Sequence, residues 1–78
     1  MQPQYEPKTR EQIYGYAIEE AGEFLHAAGK TIRWGEHSVN PELPPSQQES
    51  NIAWLRREMA DLRGALDRLE KHLDEVFG

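Results

Sequence analysis

The sequence predicts an all-α protein in which a helical hairpin associates with further copies of itself into a four-helix-type bundle. Two segments of its 78 residues place apolar side chains at helical spacing. The second segment continues that spacing as a heptad seam that is longer than the first segment can cover, which favours self-association. Residues 1–78 are predicted to form a single domain, because a core of this size is already marginal.

Composition and charge narrow the class of protein further. The chain has no cysteine, which excludes disulfides and thiolate metal sites. Its net charge of −5 and pI near 5.1 argue against nucleic acid as a partner. No apolar run approaches the roughly 20 residues of a membrane span, and the N-terminus lacks the pattern of a signal peptide. We therefore expect a soluble, cytoplasmic protein without a membrane or nucleic-acid partner.

The first predicted helix covers residues 9–30 and follows an extended, proline-containing arm at residues 1–8. Thr9 and Gln12 form a capping-box pattern at its start, and Gly29 predicts its end. The residues of its apolar face repeat at intervals of three or four. They are Ile13, Ala17, Phe24 and Ala28, broadened by Tyr14, Ala21 and Leu25.

The second predicted helix covers residues 46–77 and follows a connector at residues 31–45. A connector of that length in a compact domain is usually functional or disordered. Ser46 and Glu49 form a second capping-box pattern, with Ser50 and Asn51 as alternative caps. Apolar residues then alternate at spacings of three and four without a slip, which defines the heptad seam. The seam consists of Ile52, Leu55, Met59, Leu62, Leu66, Leu69, Leu73 and Val76.

Each predicted helix carries two carboxylates three residues apart at the border of its apolar face. The pairs are Glu20 with Glu23 and Glu58 with Asp61, and Glu19 lies further round the first helix. Residues three apart in a helix point to the same side. Helices packed side by side would thus gather four carboxylates, which is unfavourable unless a hard cation neutralises them. The sequence therefore predicts a site for Mg²⁺, with Mn²⁺ as an alternative.

The acidic pairs also have a purely structural interpretation. Acidic residues three apart are common on an acidic chain, and Glu58 could pair with Arg56, Arg57 or Lys30. In that case the carboxylates would only make the bundle soluble, and the protein would be a small coiled-coil interaction protein. The motifs that accompany the acidic pairs favour the metal site.

Two further features stand at fixed places relative to the acidic pairs. A Lys and an Arg precede an aromatic–Gly pair, and an Asn lies seven residues before the second acidic motif. The residues concerned are Lys30, Arg33, Trp34, Gly35 and Asn51. With Glu-Glu-x-x-Glu at residues 19–23 and Glu-x-x-Asp at residues 58–61, the chain resembles the MazG-like all-α nucleoside triphosphate pyrophosphohydrolases. It is most similar to the short forms often found in phages, over about residues 13–74.

The resemblance implies hydrolysis of an NTP or a dNTP to the monophosphate and pyrophosphate. Four carboxylates would hold Mg²⁺, namely Glu20, Glu23, Glu58 and Asp61. Glu19 would support the site or position water. Three polar side chains would contact the triphosphate, namely Lys30, Arg33 and Asn51.

Two tryptophans are candidates for stacking on the base of the substrate. Trp34 adjoins the residues expected to contact the phosphates, and Trp54 lies on the second helix. Both are equally suited to packing at a subunit contact. Besides the interaction protein, one further alternative remains, because the related phosphoribosyl-ATP pyrophosphatases use a similar site. In each case we expect a homo-oligomer, either a dimer or a tetramer.

Overall fold

The computed structural model describes residues 6–78, which form two long helices joined by a connector. Helix α1 covers Arg10–Trp34 and helix α2 covers Asn51–Phe77, with a short 3₁₀ turn at Pro45–Gln47 between them. Residues 6–78 contain no β-strand. The all-α class and the helical hairpin are therefore confirmed. Of the predicted extended arm, residues 6–8 are non-helical, whereas residues 1–5 lie outside the described range.

The start of α1 is fixed by the predicted capping box. The backbone N–H of Gln12 donates to Thr9 Oγ1 over 3.1 Å, and the backbone N–H of Thr9 donates to Gln12 Oε1 over 3.3 Å. These two bonds satisfy amide groups that the first turn of a helix leaves without an intrahelical partner.

Helix α1 ends four residues later than predicted. Gly29 lies within the helix, because a glycine inside a helix costs only about 1 kcal/mol relative to alanine. The chain leaves the helix at Gly35, whose φ of +94° suits a residue without a Cβ. The backbone N–H of Gly35 still donates to Thr31 O over 2.9 Å. The prediction that Gly29 ends the helix was wrong.

Helix α2 begins at Asn51, so the capping box predicted at Ser46 is not formed and the alternative cap Ser50 is used. The Ser50 hydroxyl accepts from the backbone N–H of Ala53 over 3.2 Å. Ser46 lies in the 3₁₀ turn at Pro45–Gln47. The next residue, Gln48, has an extended backbone, so the turn does not continue into a helix. A backbone hydrogen bond joins the connector to the start of α2, because the N–H of Ile52 donates to Glu36 O over 2.8 Å.

The contact between the helices is narrow and consists largely of small side chains. Within residues 6–78 the buried apolar helix residues are Ile13, Ala17, Ala27 and Ala65. The hairpin measures 46 × 26 × 15 Å, so it is little more than one helix thick. Its radius of gyration is 15.1 Å, whereas a compact domain of this length would have about 11.5 Å. A single chain therefore buries little of its apolar surface.

Apolar residues from both helices remain exposed along one side of the hairpin. Helix α2 contacts α1 through positions 51, 58 and 65, each one residue before a seam position, so the heptad seam lies beside the contact. On α1 the exposed residues recur every seven positions, and Leu25, predicted to help form the buried face, is one of them. The members of this apolar face are Ile18, Leu25 and Ile32, which are 66–87% exposed, together with Leu66, Leu73 and Val76.

The exposed apolar residues of α1 and those of α2 are each rotated about their helix axis in the same direction away from the contact. Because the two helices are antiparallel, this places both sets on the same side of the hairpin. Glu58 lies within the contact, whereas Glu23 and Asp61 are displaced from it in the opposite sense, toward the other side of the hairpin. Among the described residues, neither helix combines the length and the apolar composition needed to cross a membrane.

Candidate metal centre

Three carboxylates from the two helices meet on the side of the hairpin opposite the apolar face. One oxygen each of Glu20, Glu58 and Asp61 lies within 4.8 Å of the others. The small side chains in the helix contact, such as Ala17, allow the backbones to approach closely enough for this. We call these three residues the carboxylate centre.

Two oxygens of the carboxylate centre are buried and lack a hydrogen-bond partner. They are Glu20 Oε2 and Glu58 Oε2. Glu58 is only 4% exposed, so its carboxylate has little access to bulk solvent. A buried polar atom left unpaired costs roughly 1–3 kcal/mol, and more when it is charged. Such oxygens are suited to bind a cation, and carboxylates are the ligands that hard divalent cations prefer.

Two carboxylates of the centre, Glu20 and Glu58, hold their protons more tightly than ordinary glutamates do. Burial and, after it, the charges of Glu23, Asp61 and Glu58 together raise the pKa of Glu20 to about 7. Burial, followed by the charge of Glu23, also raises the pKa of Glu58. These raised pKa values indicate that the negative potential inside the cluster is not fully offset by its surroundings.

Glu23 and Glu19 lie at the edge of the centre. Glu23 is exposed and is not one of the three residues whose oxygens meet, but its charge raises the pKa of both Glu20 and Glu58. Glu19 is also exposed, and its charge acts on the nearby Tyr16. Burial and the charge of Glu20 raise the pKa of the Tyr16 hydroxyl. The four predicted metal ligands thus lie near one another, with three of them in contact range of one ion.

The basic and aromatic residues predicted to bind substrate on α1 are exposed and lie away from the carboxylate centre. Lys30 and Trp34 follow Glu23 by seven and eleven residues, which places all three on one side of the helix. Trp34 is 62% exposed. Arg33 is exposed and lies further round the helix. Within residues 6–78, neither Lys30 nor Arg33 forms an ion pair with the centre.

Asn51 and Trp54 are both engaged within the chain. Asn51 is 9% exposed, and its side-chain N–H groups donate to Lys30 O over 3.3 Å and to Gly35 O over 2.9 Å. It therefore ties the start of α2 to the end of α1. The ring of Trp54 packs edge-to-face against His26 with 5.2 Å between centroids.

We expect Asn51→Ala to destabilise the hairpin. The substitution leaves the carbonyls of Lys30 and Gly35 without these donors, which should lower the free energy of unfolding by about 1–3 kcal/mol. Chemical denaturation of the purified variant measures this. If stability were unchanged while nucleotide binding weakened, Asn51 would contact substrate and not serve to join the helices.

Two arginines lie beside the carboxylate centre or in line with it, and of these Arg68 was not predicted from the sequence. Arg57 donates to Glu58 Oε1 over 3.1 Å and to Glu49 Oε1 over 2.7 Å. Arg68 lies seven residues after Asp61, and its Nη1 is buried without a partner. The seven-residue interval is the signal that could have identified Arg68, because it places both residues on one side of a helix.

The raised pKa of Glu20 predicts how the metal-free protein responds to pH. The folded state holds this proton up to about pH 7, whereas the unfolded state releases it near pH 4.5. The stabilisation from this proton is therefore complete below pH 4.5 and lost as pH rises through 7. The groups facing Glu20 are Tyr16, Glu23, Glu58 and Asp61.

Glu20→Gln, which cannot ionise, should therefore gain in melting temperature relative to wild type between pH 5 and pH 8. After allowance for solvent screening we expect a gain of about 1 kcal/mol, or roughly 4–8 °C for a domain of this size. Thermal melts in a chelator-containing buffer measure it. A difference that stays constant across this range would show that Glu20 does not titrate there.

Comparisons with protein-family models, curated proteins and solved structures found no significant match to this chain.

Proposed function

We propose that the protein is a Mg²⁺-dependent nucleoside triphosphate pyrophosphohydrolase of the MazG-like type. The substrate would be an NTP or a dNTP, and the products would be the monophosphate and pyrophosphate. The observation that carries the proposal is the pair of buried, unpartnered oxygens on Glu20 and Glu58, next to an oxygen of Asp61. Together with the motif resemblance, this arrangement favours a metal-dependent hydrolase over other classes.

The donors present fit a hard divalent cation. All the atoms in the carboxylate centre are carboxylate oxygens, which suit Mg²⁺ and Mn²⁺ and disfavour softer metals. Glu20, Glu58 and Asp61 would hold the ion, with Glu23 at the edge as a fourth ligand. The bound ion would offset charge on the phosphate oxygens and lower the pKa of a water molecule.

The remaining residues would bind and orient the substrate. Lys30 and Trp34 lie on the same side of α1 as Glu23, so a triphosphate at the centre would extend along this side toward them. Lys30 would pair with phosphate oxygens, and Trp34 is exposed and free to stack on a base. Glu19 would orient water at the edge of the site. Arg33 lies further round α1 than Lys30 and Trp34. It would contact a substrate only if that substrate were bent or were bound to a second copy of the chain.

We also propose that two or more copies associate through the apolar face, forming a four-helix-type bundle as a dimer or a tetramer. The hairpin is thin, and the apolar face extends from Ile18 to Ile32 on α1 and from Leu66 to Val76 on α2, with the three residues of α1 at least 66% exposed. Covering this face with a second copy would remove these residues from water. The carboxylate centres, which lie away from the apolar face, would not be covered by the second copy.

A second candidate function is a helical interaction protein without catalytic activity. The ion pair between Arg57 and Glu58 favours it, since an arginine already offsets part of the charge that a cation would neutralise. The apolar face is compatible with either function. A third candidate, phosphoribosyl-ATP pyrophosphatase chemistry, would use the same carboxylate centre on a different substrate.

Pyrophosphate release separates the three candidates. The purified protein is incubated with Mg²⁺ and each common NTP, each common dNTP and phosphoribosyl-ATP, and both products are quantified. The proposed function predicts monophosphate and pyrophosphate in equal amounts from at least one NTP or dNTP. Activity on phosphoribosyl-ATP alone would favour the third candidate, and inactivity on the whole panel would favour the interaction protein.

A further inference from the structure

Arg57 is the residue that ion-pairs with the carboxylate centre within residues 6–78. Its Nη1 lies 3.1 Å from Glu58 Oε1, and its Nη2 lies 2.7 Å from Glu49 Oε1. Glu49 belongs to the connector just before α2. The guanidinium is therefore held in place from two sides, next to the most deeply buried carboxylate of the centre.

The arginine occupies one oxygen of Glu58 and leaves the other one unpartnered. Oε1 of Glu58 accepts from Arg57, whereas Oε2 is buried and has no donor. A cation bound through Oε2 would therefore lie close to a fixed positive charge. Like charges at such a distance repel each other, so Arg57 disfavours a cation bound on its own.

The guanidinium also has donors to spare. Arginine carries five N–H groups, of which the ion pairs to Glu58 and Glu49 use two. The Arg57 side chain is 53% exposed, so its other N–H groups can reach a ligand that arrives from solvent. A phosphate oxyanion bound to a cation at the centre would meet these N–H groups, and its negative charge would relieve the repulsion between Arg57 and the cation.

We propose that Arg57 makes cation binding at the carboxylate centre dependent on a phosphate ligand. It weakens the binding of a divalent cation alone and strengthens the binding of a cation–polyphosphate complex, to which it donates hydrogen bonds. Glu49 serves to hold the guanidinium at the edge of the centre. This inference rests on the proposed function, because it requires that the centre binds a divalent cation.

The test compares Arg57→Gln with Arg56→Gln in the full chain. Arg56 is the neighbouring exposed arginine, so its substitution removes the same charge from α2 without touching Glu58. Binding of Mn²⁺ alone is followed by the electron paramagnetic resonance signal of the free ion. Binding of the preformed Mn²⁺–tripolyphosphate complex is followed by calorimetry, which avoids any choice of base, and circular dichroism verifies the fold of each variant.

The expected changes have opposite signs. Arg57→Gln should bind Mn²⁺ alone about threefold more tightly, which is the size of a partly exposed charge pair. It should bind the Mn²⁺–tripolyphosphate complex about tenfold or more weakly, because a charge-assisted hydrogen bond is lost. Arg56→Gln should match wild type in both measurements.

Several results would overturn the inference. If Arg57→Gln stays within twofold of Arg56→Gln in both measurements, or shows one change without the other, Arg57 does not couple the two ligands, although the proposed function would stand. Weaker Mn²⁺ binding in Arg57→Gln would mean that Arg57 only holds Glu58 in position, which also contradicts the inference. A wild-type protein that binds neither Mn²⁺ alone nor the Mn²⁺–tripolyphosphate complex would remove the proposed function and this inference together.

Discussion

Glu58→Gln is expected to abolish most turnover while leaving the metal-free fold as stable as wild type, or more stable. The substitution keeps the shape of the side chain and an oxygen that can accept from Arg57, but it removes a buried negative charge. Even residues that only hydrogen-bond to a metal ligand contribute about 10–100-fold to metal affinity or activity, so loss of a ligand itself should lower kcat/KM by at least about 100-fold.

The same variant should lose the stabilisation that a metal provides. Mg²⁺ that binds only the folded state raises the melting temperature increasingly as its concentration exceeds its Kd. Wild type should therefore melt at a higher temperature in millimolar Mg²⁺, and Glu58→Gln should respond much less. Glu70→Gln is the matched control, since Glu70 is an exposed acidic residue elsewhere on α2. Turnover that survives Glu58→Gln would mean that the site lies elsewhere.

Leu25→Asp is expected to dissociate the oligomer. In the single chain this side chain is 66% exposed, so the substitution alone costs the isolated hairpin little. In an oligomer that forms through the apolar face, however, the aspartate would be buried as an uncompensated charge on each copy, which is strongly unfavourable. Light scattering should therefore report an oligomer for wild type and a monomer, or an unfolded chain, for the variant.

Leu43→Asp serves as the control for Leu25→Asp. Leu43 is also partly exposed, at 39%, but it lies in the connector and outside the apolar face. It should leave the size of the assembly unchanged. A wild-type protein that is a stable, folded monomer at micromolar concentration would contradict the proposed association.

The fold class followed from the sequence because helical periodicity and capping are local properties. The capping box at Thr9 appears as predicted, and the hairpin follows from two periodic segments on either side of a connector. The helix ends were harder to predict. Gly29 marks no end, because the stop at Gly35 depends on a positive φ and on the hydrogen bond from Asn51, a residue far along the chain.

The face that each helix buries could not be read from the seam alone. The heptad seam predicts which residues of α2 are apolar, but α1 packs one position to the side of it, so Glu58 is buried and Leu66 is 48% exposed. Leu25 was misassigned for a related reason, because an apolar stripe does not reveal whether its partner is in the same chain. Self-association remains a prediction.

The acidic residues could be chosen from the sequence because their three-residue spacing is a helical property. The structure brings Glu20, Glu58 and Asp61 together and keeps Glu23 at the edge. The ion pair between Arg57 and Glu58 was only one of several pairings that the sequence allowed. The role of Asn51 in joining the helices could not be foreseen, since its acceptors are backbone carbonyls that no pattern of side chains reveals.

The most direct test of the metal centre is an anomalous diffraction experiment on crystals of the protein grown with Mn²⁺. We expect an anomalous peak within coordination distance of carboxylate oxygens from Glu20, Glu58 and Asp61, and no such peak in Glu58→Gln crystals grown in the same way. A fully occupied Mn²⁺ at another place, or no peak at these three residues at millimolar Mn²⁺, would contradict it.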